Sequence, residues 1–405
     1  MTLVYDERVP LHGQPVLHAL IAGVSVYPHL KGGGGPTSDG GKGYGMGQLA
    51  SPALTAFRLV ELLKQRAAKW ARPLGTVRLL LSSSITEIAV EPKLKEVAPA
   101  CTRAALAQAV LDWRGDVWSH KDNFALFYFG GHGVQKTKED AIILTEDFGA
   151  PSTGGSLSRA ASVGHIANLM APGAGGPPSR NVGRTQFFFV DACRSPLPSL
   201  KKLAKGGEPP VIDDVQLADE DDRVWPVFSV LPGSKAYSDD GKPTLFGRAL
   251  LECLGSCGGK AIDDDNGPKW VVTSFSLHQS IKEHLRLSNR IYKTEQECEL
   301  GGRLADVLIH QLDGPPDADV LIKIDPDVAA EFARLKVLDP ATRIPVLALG
   351  VPIKPHPYVA RLKAGSYVLV VQIDPPRPPY VQPDDQLRSL AWPAASQPWR
   401  VKVQP

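Results

Sequence analysis

The sequence predicts an α/β fold with a mostly parallel sheet. Two observations carry this. Short apolar runs recur along the first half of the chain and are hydrophobic throughout rather than alternating, as in strands covered on both faces. Amphipathic helical stretches lie between them, so the strands are joined by crossovers and the helices cover the sheet.

The strands read as Val16–Val26 (VLHALIAGVSV), Val77–Leu81, Phe124–Phe129 (FALFYF) and Gln186–Val190 (QFFFV). The first helix spans Ser51–Trp70, with Leu54, Phe57, Val60, Leu62 and Leu63 as its apolar side. Its Ser51-Pro52 start predicts an N-cap followed by proline at the first helical position. A second helix over 101–118 carries Ala105, Leu106, Val110, Leu111 and Trp113. Val224–Leu231 reads as a fifth strand, Leu245–Leu254 and Phe275–Arg290 as helices, and Asp306–Gln311 as a sixth strand.

Composition shifts after Gly314-Pro315-Pro316. The remainder of the chain is rich in proline and short strands, at Val320–Ile324, Pro345–Leu349, Ser366–Ile373 and Trp399–Val403. This predicts a main domain over 1–314 and a small β-rich, sandwich-like accessory domain over 315–405. The main domain divides into 1–194, an exposed linker at 195–223 and 224–314. Lys31–Gly47 is a glycine-rich loop lacking the phosphate-binding pattern, and at the carboxyl end of a strand it suits a substrate-binding rim.

The 405 residues are 43% hydrophobic and 22% charged, with formal net charge +2. These values fit a globular protein without a basic stripe for nucleic acid. No apolar run approaches the roughly 20 residues needed to span a bilayer. No secretory leader is evident at the N-terminus, so the cytoplasm is the expected location. Five cysteines without a C-x-x-C pair do not form a disulfide framework.

Two strands end in unusual sequences. FALFYF runs into Gly130-Gly131-His132-Gly133, and QFFFV into Asp191-Ala192-Cys193-Arg194. If the strands are parallel neighbours, their carboxyl ends share the sheet edge where α/β folds bind ligands. A histidine beside a cysteine there is a general base beside a nucleophile, because the thiolate attacks and imidazole promotes it. The glycines permit sharp turns and close approach of a substrate. The amides of Gly133 and Cys193 are candidate oxyanion donors.

The segments F-Y-F-G-G-H-G and F-V-D-A-C-R-S resemble the two active-site segments of the caspase and metacaspase superfamily. Caspases carry Q-A-C-[RQG]-G with a histidine about 50 residues upstream; here His132 is 61 residues upstream of Cys193. A-L-I-A-G-V-S-V-Y resembles the family's first strand. V-F-S-V-L-P-G-S-K-A-Y-S-D-D and L-F-G-R-A-L-L-E-C-L resemble the start of its small subunit. The resemblance covers about 16–311 and implies a caspase-like three-layer sandwich with a mostly parallel six-stranded sheet. It also implies a Cys193/His132 cysteine endopeptidase acting on proteins.

In metacaspases the residue matching Asp191 lines the pocket for the side chain before the scissile bond, which implies cleavage after Arg or Lys. Ser229 and Asp239 match positions near that pocket. The Asn-Asp pair that often enters the first metacaspase helix is replaced by Leu49-Ala50-Ser51-Pro52, and Asp39, Asp239 or Asp240 could supply the second acid. Gly130 stands where these proteases often have serine. The 195–223 linker matches the segment cut on caspase activation. It offers Lys201, Lys202, Lys205 and Arg223 for self-cleavage or an upstream protease or regulator. No cofactor is required by this chemistry. Metacaspases often use calcium, but no EF-hand pattern is present; the acidic runs at 213–214 and 219–222 could attract a cation, whereas Asp263-Asp264-Asp265-Asn266-Gly267 reads as a turn. A second reading is a catalytically silent caspase-like scaffold that binds partners through its C-terminal domain. Related bacterial proteases serve in stress, cell-death or phage-defence systems, and that role is carried here by analogy alone.

Overall fold

The computed structural model describes residues 1–36, 43–135, 141–151, 157–173, 182–192, 221–230, 241–263, 265, 267, 269–373, 380–390 and 399–404. The chain forms two compact units, one of Met1–Leu251 with Tyr292–His310, the other of Glu252–Ile291 with Gln311–Pro405.

In the first unit the strands β1 (Leu3–Asp6) and β2 (Leu17–Val24) precede helix α1 (Pro52–Gln65) and β3 (Leu74–Ser82). Helices α2 (Ile85–Val90) and α3 (Arg103–Val117) lead to β4 (Phe124–Gly131). A small antiparallel sheet of β5 (Gly133–Gln135), β6 (Ala141–Leu144) and β7 (Ala160–Ser162) comes next, then α4 (Val163–Leu169), β8 (Thr185–Ala192) and β9 (Trp225–Val230). Helix α5 (Leu245–Glu252), strands β10 (Gly259–Ile262) and β11 (Lys269–Thr273), and helix α6 (Ser274–Tyr292) precede β12 (Cys298–Arg303) and β13 (Leu308–Gln311).

The main sheet has seven strands among the described residues, in the order β1-β3-β2-β4-β8-β9-β12. The five central strands are parallel; β1 and β12 run antiparallel at the two edges. The expected six strands therefore become seven, and the sixth differs in identity. Asp306–Gln311 shortens to β13, which lies outside this sheet, and the strand beside β9 is Cys298–Arg303. That edge strand is mostly half-buried or exposed and contains Gly301 and Gly302, so it carries no apolar run to read. A side chain at Gly302 would meet the Trp225 carbonyl oxygen at 2.2 Å, so only glycine allows the two strands this approach.

The central strands are buried on both faces, which explains their unbroken hydrophobicity. Against one face α3 sets Trp113, whose ring meets Phe127 of β4 and Phe188 of β8 at centroid distances of 6.1 and 6.4 Å. Its indole N–H donates to the His18 carbonyl of β2 at 3.0 Å. Leu111, assigned to the apolar side of this helix, is 41% exposed instead. The other face receives α1, which buries Leu54, Phe57, Leu59, Val60 and Leu63; each such side chain contributes about 1.5–3 kcal/mol. Gly23 of β2 lets α1 sit close, since a Cβ there would lie 2.6 Å from the Pro52 carbonyl oxygen.

The start of α1 departs from the expected cap. Pro52 holds the first turn, but Ser51 makes no side-chain cap bond. The buried Glu87 accepts from Leu54 N at 2.9 Å, and Ser25 Oγ accepts from Ala53 N at 3.1 Å. Glu87 also closes a capping box with Ser84 at the start of α2. One carboxylate thus satisfies the amino ends of two helices, and charge at that position suits both dipoles.

In the second unit β10 and β11 form an antiparallel hairpin. Beyond it, β14 (Asp317–Asp325), β17 (Tyr358–Lys363) and β20 (Trp399–Lys402) make one sheet; β15 (Ala333–Leu338), β16 (Pro345–Leu349), β18 (Gly365–Ile373) and β19 (Gln386–Leu390) make another. Alternate residues of the two sheets share one core, among them Val320, Ile322, Leu335, Val337, Leu362, Leu369 and Val371. Among the described residues no helix is long and apolar enough to cross a membrane.

Candidate active site

The two motifs lie on neighbouring parallel strands. β4 pairs with β8 along their full length, and the last register pair is Gly131 with Ala192. His132 and Cys193 are the next residues in sequence. Cys193 lies outside the described residues, as do Asp39, Lys201, Lys202, Lys205, Asp239 and Asp240.

His132 is held at three points. Its ring Nε2 lies 2.7 Å from the Gly47 carbonyl oxygen. A carbonyl only accepts, so Nε2 carries the proton and Nδ1 keeps its lone pair. The backbone N–H of His132 donates to the Tyr27 hydroxyl at 2.7 Å, and the two rings pack at 4.7 Å between centroids with a 46° tilt. Burial holds the imidazole pKa below its ordinary value, with the Gly47 bond acting in the opposite direction. The neutral ring is therefore the form at neutral pH, with Nδ1 able to take a proton. Gly131 is required here by space, because a Cβ would lie 2.7 Å from the Tyr27 hydroxyl.

Gly133 opens β5 opposite Ile143. Leu144 N donates to the His132 carbonyl at 3.0 Å, so the alternation of the antiparallel ladder turns the Gly133 N–H outward from β6.

Asp191 projects from β8 toward α1 and α5 and is 1% exposed. Its Oδ2 accepts from the Tyr128 hydroxyl at 3.0 Å and from the Thr244 hydroxyl. Thr244 Oγ in turn accepts from Gly247 N at 2.9 Å, capping α5. Thr244 N donates to Thr55 Oγ of α1 at 3.0 Å. The second oxygen, Oδ1, has no hydrogen-bond partner among the described residues. Burial raises this carboxyl to about 6, against the opposing effect of its hydroxyl donors. Gly247 admits no side chain, since a Cβ would meet Thr55 Cγ2 at 2.1 Å and Thr244 Oγ at 2.6 Å. Tyr128, Thr244 and Gly247 were not legible as site residues; each becomes one only through contacts made by the folded chain.

Ser229 lies on β9 in register with Val190 and is 3% exposed. Arg223 corrects an expectation. Offered as a processing position in an exposed linker, it is 1% exposed. Its guanidinium donates to the Ala167 carbonyl and to Gln186 Oε1, grips Asp221 through two nitrogens at 2.6 and 2.8 Å, and lies over the Trp225 ring. Asp221 and Asp222, two of the candidate calcium acids, are taken up by Arg223 and Arg184, each at 2.6 Å. Among the described residues no group of three or more His, Cys, Asp or Glu side chains is arranged to hold a metal.

A mostly parallel sheet with helices on both faces, a histidine following one strand and a cysteine next in sequence after the neighbouring strand, is the arrangement of a caspase-like protein. The family model of the caspase domain matches residues 47–284, more than half of the 405, and the chain belongs to that family. Among solved structures the chain is similar to a Geobacter sulfurreducens protein, at 14% identity and TM-score 0.41, covering 72% of this chain and 95% of that one. It is also similar to pro-sf-caspase-1, at 9% identity and TM-score 0.39, covering 73% and 90%. No curated protein matches.

Proposed function

We propose that the chain is a cysteine endopeptidase in which Cys193 is the nucleophile and His132 its general base and acid, with cleavage after Arg or Lys. The observation that carries this is the β4–β8 register, which ends on Gly131 and Ala192 immediately before the two residues. The tautomer of His132, with Nε2 given to Gly47 and Nδ1 left basic, supports it.

In this reading Nδ1 takes the thiol proton and the thiolate adds to the scissile carbonyl carbon. The carbonyl electron pair moves to oxygen, which the amides of Gly133 and Cys193 receive. As the carbonyl re-forms, the carbon–nitrogen bond breaks and Nδ1–H gives its proton to the leaving amine. Water, deprotonated by Nδ1, then attacks the thioester carbon; the carbon–sulfur bond breaks, the carboxylic acid product leaves, and Nδ1–H returns its proton to the Cys193 sulfur. The preference for a basic side chain rests on Asp191. A buried carboxylate oxygen without a donor among the described residues is satisfied by an arriving ammonium or guanidinium, and Arg can do so through paired hydrogen bonds. Activation by cutting the 195–223 linker belongs to the proposal at Lys201, Lys202 and Lys205.

The test is hydrolysis of fluorogenic peptides ending in Arg, Lys or Asp by the intact chain, by Cys193→Ala and by His132→Ala. Arg and Lys cleavage that falls by about a thousandfold or more in either variant is the expected result. Asp cleavage would retain the dyad and refute the pocket. No cleavage, even after trypsin nicking and added calcium, would refute the peptidase reading.

A further inference from the structure

We infer that Gln48, acting with Tyr27, is a positioning residue for His132; the inference rests on the peptidase reading above. Gly47 has no side chain, yet its carbonyl oxygen fixes the ring of His132, so something must fix that carbonyl. The adjacent Gln48 does so. Its Oε1 accepts from Tyr27 N at 2.8 Å, while its Nε2 donates to the Tyr27 carbonyl at 2.9 Å and to the Lys31 carbonyl at 3.1 Å. The carboxamide pairs with both backbone groups of Tyr27 as a neighbouring strand would. Lys31 N to the Met46 carbonyl and Leu49 N to the Ser25 carbonyl, at 3.2 and 2.8 Å, complete the closure.

Tyr27 carries the same constraint to the other side of His132. Its hydroxyl accepts from His132 N and donates to the Leu144 carbonyl at 3.3 Å, so it bridges the start of the β5–β6 ladder. Tyr27 itself is fully buried. The base is thus gripped at its ring by residue 47 and at its backbone by residue 27, and one side chain ties those two residues together. Gln48 makes its hydrogen bonds to Tyr27 and Lys31 and none to His132, so its effect passes through the orientation and tautomer of that ring.

Gln48 is exposed, so substituting it leaves the core intact. Gln48→Ala removes all three bonds; Gln48→Glu keeps the acceptor for Tyr27 N and removes both donors. Tyr27→Phe keeps the ring and deletes the hydroxyl. The expected result is a fall in kcat of about ten- to a hundredfold for Gln48→Ala, with KM unchanged, because displacing a catalytic group by about 1 Å has this cost. Gln48→Glu falls between. The distinguishing readout is the His132 tautomer, followed by ring nitrogen NMR in the Cys193→Ala background. The wild-type side chain gives the Nε2–H form alone, and Gln48→Ala gives a mixture. Wild-type kcat and an unchanged tautomer in Gln48→Ala would overturn the inference and leave the peptidase reading standing. A wild type without Cys193-dependent cleavage would overturn both.

Discussion

Replacing Asp191 with Asn separates the cost of burying a charge from the use made of it. The carboxylate is 1% exposed, with two hydroxyls on Oδ2 and none of the described donors on Oδ1. Burial lifts its pKa from 3.8 to about 6. Two units correspond to ~3 kcal/mol of preference for the neutral form in the folded state. The folded protein holds this proton more tightly than the unfolded chain, so the contribution to stability falls as pH rises from 4 to 6 and is flat above. Asn never ionises, and its oxygen accepts the same two hydroxyls. Its amide, however, stands at the unpaired position, which costs about 1–3 kcal/mol at every pH. Asp191→Asn is therefore less stable than wild type near pH 4 and equal or more stable at pH 8. The difference between them swings by ~3 kcal/mol. Urea unfolding of both proteins at the two pH values measures the swing, and peptide assays at pH 8 are expected to show Arg and Lys cleavage lost. A difference that stays constant with pH would refute the reasoning, because the carboxyl would then titrate alike in the folded and unfolded chain.

His18 acts in the same pH window with the opposite sign. It is fully buried; Nδ1–H donates to Thr76 Oγ at 2.8 Å, Nε2 has no partner among the described residues, and burial pushes its pKa down to about 4. Its contribution is complete above pH 6.5 and is lost as pH falls through 4, by ~3 kcal/mol, so His18→Gln flattens the acid side of the unfolding curve. The two groups offset one another in the wild type, and thermal melts of the single variants reveal each. For Arg223, Ala substitution strips the partners of a buried guanidinium and is expected to cost about 3 kcal/mol. Peptide mapping after brief native trypsin treatment should show other sites cut before the bond after Arg223, and early cutting there would contradict its burial.

The parts of this fold that announce themselves in sequence are those whose environment is uniform. Strands β2, β3, β4 and β8 are buried at nearly every position, and each carries an apolar run. His132 was legible because a polar residue between glycines breaks such a run at its end. Edge strands β1 and β12 were not, since most of their residues are only half-buried or exposed. Nor were Tyr27, Gln48, Glu87 or Thr244, whose roles depend on partners as far as 189 residues away. Gln48 in particular is an exposed polar residue by every local criterion. Arg223 was misread for the same reason: Asp and Glu around it suggest a solvated run, whereas Gln186 and the Ala167 carbonyl bury it.

The β4–β8 pairing has a consequence for when the chain can act. Among the described residues the ends of these strands meet through the pairing of the sheet itself, across 61 residues that include β5 to β7 and α4. Contacts of such long sequence separation close late, after the local elements have settled. On the peptidase reading proposed above, a chain emerging from the ribosome, or one partly unfolded by stress, would hold His132 and Cys193 on separate segments and would not cut its neighbours. Assembly of the sheet would then serve as a safety catch, one that operates before any control exerted on the finished molecule.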